Sequence, residues 1–333
     1  MTDPFPHTLG TAISGSAAAE LASALEAARA LGTEASAIHA GERLAHAICV
    51  HLAPVVSLSR TPIAPMWLEP WAACAPLHRT APARLVRTAT IARTPRGLAC
   101  IDPTLPEAWA RTPLGERMRS LHPEATRESF PLTLRMAVGP PEHFTEIVLT
   151  DLRFQSLRAL LGTTHGDGLE PALPPFFPKA RVYVSALDWA HFAHPDALPT
   201  EERAALVRGG LARLRTDALV LVDRPLVTDA GLVLVPTGGL TPGTLTVAMP
   251  VRDSRVRVAV VTSQATTRDA YSPYESALAG LREHARLRDT DVAPRGDALD
   301  QAAHLRALRF ERALADRDPK DPRFHDILPS QQL

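Results

Sequence analysis

Two segments near the carboxyl end alternate apolar side chains with polar or small ones at every step. In one segment the apolar set is Leu245, Val247, Met249 and Val251, and in the next it is Val256, Val258 and Val260. Successive side chains of a β-strand point to opposite faces, so each segment predicts a strand with one buried face. The apolar runs 217–223 and 231–236 precede them, with turn residues at 237–239 and 242–243. The pattern predicts an antiparallel meander of four strands.

Helix-start signals stand on both sides of this meander. Thr200 can cap a helix that has Glu201 and Glu202 in its first turn, where the helix dipole favours negative charge. The segment Ser272-Pro-Tyr-Glu275 is a capping box with proline at the first helical position. A further helix is expected over 297–315. We therefore predict an α+β protein with a helix–β-meander–helix core over residues 200–317.

The rest of the chain predicts three less regular regions. Residues 1–53 read as an arm followed by a helical pair, 16–31 and 33–52, with an apolar seam on the second helix. Residues 54–199 are rich in proline and carry a hairpin over 84–101. Within this region we expect a helix over 144–161, with a strand at 146–149 as the alternative. Residues 318–333 are expected to form a polar tail.

Composition disfavours several classes of function without excluding a nucleic-acid partner. The chain has 36 basic and 36 acidic residues, so its charge predicts neither nucleic-acid nor membrane binding. Three cysteines give no disulfide framework, and no signal peptide or membrane span is evident, which predicts a cytoplasmic protein. Lysine occurs only at Lys179 and Lys320 and no P-loop is present, so nucleotide and pyridoxal chemistry are disfavoured. We expect no cofactor and no metal.

Histidine is the residue type that suggests catalysis. The glycine-rich loop 162–168 carries His165 and Asp167, which could act as a general base and its orienting partner. Asp188, His191 and His194 form a second candidate group at spacings of three residues. On a regular helix the outer two of these point about 240° apart, so the three converge only if the segment is irregular.

Three functions remain open, and the first is preferred. A structural or assembly subunit of a shell, virion or multiprotein machine would use the proline-stiffened region, with Trp67 and Trp71 as interface residues and association with itself or other subunits. It would lie in the cytoplasm or in a virion. The alternatives are a hydrolytic or metal-assisted enzyme using His165 and Asp167, and a binding module. The binding module would use the arginine-bearing face of the last helix: Arg306, Arg309 and Arg312.

Overall fold

The structure is a computed structural model. It describes residues 15–68, 83–103, 139–152, 157–164, 172–193, 214–239, 241–252, 255–262, 301–315 and 327–328 of the 333. The predicted class is confirmed, because helices and two β-sheets make an α+β protein in which an antiparallel sheet in the carboxyl-terminal half has helices packed beside it.

Among the described residues the larger sheet has seven strands, and it mixes two kinds of pairing. Its strands are β1 (Ser57–Leu68), β2 (Ala83–Thr94), β3 (Gly97–Ile101), β4 (Phe144–Val148), β5 (Arg181–Ser185), β6 (Leu219–Val222) and β11 (Ile327–Leu328). The strands β1, β2 and β3 are antiparallel neighbours, which confirms the predicted hairpin over 84–101, whereas β3, β4, β5 and β6 run parallel in that order. The short β11 pairs with β2. Four strand ends of one polarity therefore lie along one edge of this sheet.

The smaller sheet has four antiparallel strands in the order β10-β9-β8-β7. They are β7 (Leu226–Val227), β8 (Val233–Pro236), β9 (Leu245–Arg252) and β10 (Val256–Val261). The alternation in the sequence thus identified β9 and β10. The run 217–223 was assigned to the wrong sheet, because its strand β6 is the parallel edge strand of the larger sheet, with Leu221 44% exposed.

Apolar clusters separate four layers. Val148 and Tyr183 of the larger sheet pack against Leu234, Val247 and Met249 of the smaller sheet. The outer face of the smaller sheet packs against α1 (Gly15–Arg29), α2 (Glu34–His51) and α5 (Gln301–Leu314). The outer face of the larger sheet is covered by α3 (Leu157–Leu161), by Phe177 and by Trp189 of α4 (Ala186–Ala193). The order of layers is helix, sheet, sheet, helix.

The helix α2 begins and ends close to its predicted limits. Thr33 is its N-cap and shares a capping box with Ser36, and Leu52 is its C-cap. The seam predicted on this helix consists of Ile38, Gly41, Ala45, Ile48 and Leu52. It is only partly correct, because Gly41 and Ile48 are buried but Ile38 is 39% exposed, and Ala37, Ala40 and Leu44 are buried in addition. Gly41 lies at the closest approach to α5, where an added Cβ would stand 2.6 Å from the carbonyl oxygen of Phe310. A side chain at this position is therefore excluded by the packing of the two helices.

Several sequence predictions concern residues outside the described ranges. The helices expected from Thr200 and from Ser272 lie there, and so does most of the polar tail. Within the described residues the core joins α1 and α2 to the smaller sheet and α5, so the amino-terminal pair packs on the carboxyl-terminal half. The division of the chain into four regions stays a prediction. None of the described helices is long and apolar enough to cross a membrane.

At the amino ends of the parallel strands, a buried carboxyl group joins the two sheets. Glu146 of β4 accepts hydrogen bonds from Thr228 Oγ1 at 2.6 Å and from the Ala230 amide at 2.8 Å, and both donors lie in the β7–β8 turn. Burial raises the pKa of Glu146, although the two hydrogen bonds oppose the shift. Burial, followed by the charge of Glu146, also raises the pKa of Tyr183.

Replacing Glu146 by glutamine should change how stability depends on pH. Because the pKa is raised in the folded state, this carboxyl group favours folding fully below its unfolded-state value of about 4.5, and the contribution is lost as pH rises through the folded-state value. The wild type should therefore lose unfolding free energy over this window, and the glutamine variant should lack that part of the slope. Urea unfolding followed by circular dichroism measures both profiles. Glu142→Gln, an exposed change on the same segment, is the control, and parallel wild-type and Glu146→Gln profiles would contradict the assignment.

Candidate functional site

Polar residues collect where the parallel strands end. Asp102 directly follows β3, Thr150 and Asp151 follow β4, and Asp188 lies in the first turn of the helix after β5. Ligands of parallel α/β sheets bind outside the carboxyl ends of the strands, so this edge is the candidate site. The β8–β9 turn of the smaller sheet meets it. We call the following set the rim cluster: Asp102, Thr150, Asp151, Asp188, Thr241, Gly243 and Thr244.

Asp102 and Thr150 join the ends of β3 and β4. The Thr150 amide donates to Asp102 Oδ1 at 2.8 Å, and its hydroxyl donates to Oδ2 at 2.6 Å. Asp102 adopts a left-handed backbone conformation with φ of 52°, which aspartate tolerates better than most residues. The Thr150 carbonyl in turn accepts from the Leu245 amide at 2.8 Å. This pair therefore reaches from the larger sheet to the first residue of β9.

Asp188 makes the second link between the sheets. Its Oδ2 accepts from the Thr241 hydroxyl at 2.8 Å and its Oδ1 accepts from the Gly243 amide at 2.9 Å. Asp188 and Thr241 are both buried. Glycine is required at position 243, since a Cβ there would lie 2.9 Å from Asp188 Oδ1 and closer still to Ser185 Oγ and the Asp188 amide nitrogen. The β8–β9 turn is thus seated directly on the start of α4.

Threonines extend this polar packing toward the helical layer. Thr241 Oγ1 lies 2.9 Å from Thr244 Oγ1, and Thr237 donates to the Thr244 carbonyl at 3.2 Å. Thr246 lies 3.0 Å from Thr237 and donates to buried Glu311 of α5 at 2.6 Å. Hydrogen bonds therefore run through the smaller sheet from the rim cluster to α5.

The predicted pair His165 and Asp167 lies outside the described residues, but the base of its loop is described. The Thr163 amide donates to Leu173 O at 2.8 Å, and the Leu173 amide donates to Thr163 Oγ1 at 2.8 Å. Gly162 O accepts from the Arg215 amide, which precedes β6. Gly162 and Thr163, where the loop begins, therefore lie beside Leu173 and beside Arg215, which precedes the amino end of β6. A catalytic role for His165 and Asp167 stays a prediction.

The second predicted group is partly described. Asp188 belongs to the rim cluster, and His191 lies one turn later on α4, whereas His194 lies outside the described residues. Sequence reasoning singled out Asp188 for its spacing from the histidines and missed its partners Thr241 and Gly243. It also missed Asp102, Thr150 and Asp151. The signal that could have found them is their position directly after apolar strands.

The predicted interface residues fall in different places. Trp67 is on β1 and Trp71 lies outside the described residues, so a contact role for either stays a prediction. Of the arginines on α5, Arg309 lies 3.5 Å from Glu34 of α2, Arg306 is half-buried and Arg312 is exposed. Two histidines of α2 face α1, because His51 Nε2 and His46 Nε2 lie 2.8 and 3.8 Å from the carboxylate of Glu20.

The described part of the rim does not offer the ligands of a metal centre. Across the described ranges no group of three or more His, Cys, Asp or Glu side chains is placed to hold a metal ion. A bound divalent ion needs about four to seven ligand atoms that converge on one point. The carboxylates of Asp102 and Asp188 instead accept from amide and hydroxyl groups that stand directly against them. These residues therefore do not fit a metal.

The layered architecture resembles solved hydrolase structures. A probable metal-dependent hydrolase from Staphylococcus aureus matches 78% of this chain and 84% of its own chain, with 12% identity and a TM-score of 0.51. A quorum-quenching N-acyl homoserine lactone lactonase matches 73% and 91% at 14% identity, with a TM-score of 0.45. A subclass B3 metallo-beta-lactamase from a soil metagenome library matches 79% and 92% at 12% identity, with a TM-score of 0.35. No protein-family model and no curated protein sequence matches the chain.

The first of these matches shows a shared fold, and it corrects the preferred prediction. The fold is that of a hydrolase structure, so the prediction of a structural, self-assembling shell or virion subunit is wrong. The prediction failed because it rested on the terminal arm, the tail and the proline content. These features describe the connecting segments of the chain and carry no information about how its helices and sheets are layered. The predicted association with other subunits is a separate point that no observation tests, and it stays a prediction.

Proposed function

We propose that the protein is a hydrolase whose substrate binds at the carboxyl ends of the parallel strands. One observation supports this most directly: the four-layer fold matches a probable metal-dependent hydrolase over 78% of the chain. The rim cluster adds a chemical reason, because it includes a carboxylate, Asp151, that follows β4 at that edge. The hydrolytic alternative drawn from the sequence is thus the better of the original three.

The reaction we propose needs a carboxylate at the rim. In hydrolysis a general base takes a proton from water as the water oxygen attacks an electrophilic carbon or phosphorus, and the proton then goes to the leaving group. Asp151 is the rim carboxylate that directly follows Thr150 on the β4 end, and we propose it as this base. Cys100, two residues before Asp102, is not proposed as a nucleophile, because burial raises the pKa of its thiol well above the usual value.

Activity measurement with purified full-length protein tests this proposal. Chromogenic carboxylic ester, lactone and phosphodiester probes cover the main hydrolytic classes. We expect turnover of at least one class above the buffer rate, and a fall of about 100-fold or more in kcat/KM for Asp151→Asn. Asp229→Asn makes the same chemical change at the opposite end of the strands, beside Arg181, and should leave the rate within about twofold of wild type.

Two outcomes would contradict the proposal in different ways. Absence of turnover with every probe class would remove the support for a hydrolase. Turnover that survives Asp151→Asn but is lost in His165→Ala would keep the hydrolase and move its site from the rim to the 162–168 loop. Circular dichroism of each variant shows whether it is folded.

A further inference from the structure

We infer that Asp102 and Asp188 hold the two sheets together by hydrogen bonds and do not bind a metal. The matched fold nevertheless includes a structure described as a probable metal-dependent hydrolase. These roles rest on the hydrogen bonds of the rim cluster and do not depend on whether the chain hydrolyses any substrate.

All four carboxylate oxygens of Asp102 and Asp188 accept a short hydrogen bond from the protein. The donors are the amide and hydroxyl of Thr150 for Asp102, and the Thr241 hydroxyl and Gly243 amide for Asp188, at 2.6–2.9 Å. Each oxygen therefore gives at least one of its acceptor directions to a protein donor. An ion that displaced these donors would leave a buried amide or hydroxyl without its acceptor, which is costly.

An ion beside either aspartate would also need space for itself and for its other ligands. An ion bound by a carboxylate lies about 2.0–2.6 Å from the oxygen and needs further ligands around it. On the Gly243 side of Asp188 the backbone of the β8–β9 turn occupies this place, because an added Cβ would lie 2.9 Å from Oδ1 and closer still to Ser185 Oγ and the Asp188 amide nitrogen. Across the described ranges no set of three ligating side chains surrounds either aspartate.

The hydrogen bonds that Asp102 and Asp188 accept already have a structural role. Asp188 holds the β8–β9 turn of the smaller sheet against the start of α4 on the larger one. Asp102 orients Thr150, whose carbonyl oxygen accepts from the Leu245 amide of β9. Removing either carboxylate should therefore lower the stability of the folded protein.

A pair of threonine variants tests the structural role. Thr241→Val removes the hydroxyl and leaves Asp188 Oδ2 without that donor in a buried place, so we expect the Tm to fall by about 3–6 °C. Thr241→Ser keeps a hydroxyl at the same atom and should recover most of that loss. If the Tm of Thr241→Val equals that of the wild type, or if the Tm of Thr241→Ser is no higher than that of Thr241→Val, Asp188 does not hold the turn in the way described.

Metal binding is tested separately, with the full chain and Zn²⁺ or Mn²⁺ alone as probes. We expect Asp102→Asn and Asp188→Asn to bind as much of either ion, by elemental analysis after desalting, as the wild type does. The two variants should also show the same Tm response to each ion and to EDTA. Stoichiometric metal in the wild type that is lost in either asparagine variant would overturn the inference. Metal that is retained equally by all three proteins would have its ligands elsewhere and would support it.

Discussion

Replacing Gly41 by alanine is expected to destabilise the protein by about 2 kcal/mol. The added methyl group would stand 2.6 Å from Phe310 O and 2.9 Å from Ala313 Cβ, so α2 and α5 must move apart across a buried contact. Overpacking of this kind costs about 1–3 kcal/mol, and the better helix propensity of alanine offsets up to about 1 kcal/mol of it. Urea unfolding followed by far-ultraviolet circular dichroism measures the change.

The control for Gly41 is Gly32, which lies between α1 and α2. A Cβ at Gly32 meets no atom within 4 Å, so Gly32→Ala should change the unfolding free energy by less than about 1 kcal/mol. Equal stability of the Gly41→Ala protein and the wild type would show that α5 does not rest on α2 as closely as described.

Replacing Gly243 by alanine should have a still larger effect, about 3 kcal/mol, because three atoms at the start of α4 would be approached too closely. These atoms are Ser185 Oγ, the Asp188 amide nitrogen and Asp188 Oδ1. Two of them belong to the residue that holds the β8–β9 turn, so the turn must lift and its hydrogen bonds to Asp188 must lengthen. Thermal unfolding by scanning calorimetry gives the loss.

Pro242→Ala serves as the matched control in the same turn. Pro242 is exposed, and its replacement should cost no more than about 1 kcal/mol through the greater freedom of the unfolded chain. A Gly243→Ala protein no less stable than Pro242→Ala would mean that the turn is not seated on α4.

The sequence predicted strands well where apolar side chains alternate with threonine, alanine or arginine, although β9 is buried on both faces and not on one, since the helices cover its other face. Alternation located β9 and β10, and turn residues located the β2–β3 hairpin. Parallel strands covered on both faces show no alternation. For that reason residues 144–161 were predicted to be a helix, with a strand at 146–149 as the alternative. The alternative is closer for the first part, because Phe144–Val148 is the strand β4, whereas Leu157–Leu161 is helical. The apolar run 217–223 was placed beside its neighbours in sequence although its partner is β5.

The rim cluster was missed for a related reason. Asp102, Asp151 and Asp188 lie far apart in the chain and follow no spacing rule, so only the parallel order of β3, β4 and β5 brings them to one edge. Gly243 was recognised as a turn residue, and Thr241 beside it was given no role. Their bonds to Asp188 depend on how one sheet lies on the other, and local patterns do not encode that.

The two sheets are joined at opposite ends of the parallel strands, by Glu146 at one end and by Asp188 and Thr150 at the other. Because the sheets are joined at both ends, they cannot open by rotating about one end, and a substrate of the proposed hydrolase would have to approach from outside their common edge. The distance between the sheets should therefore stay the same whether or not a substrate is bound.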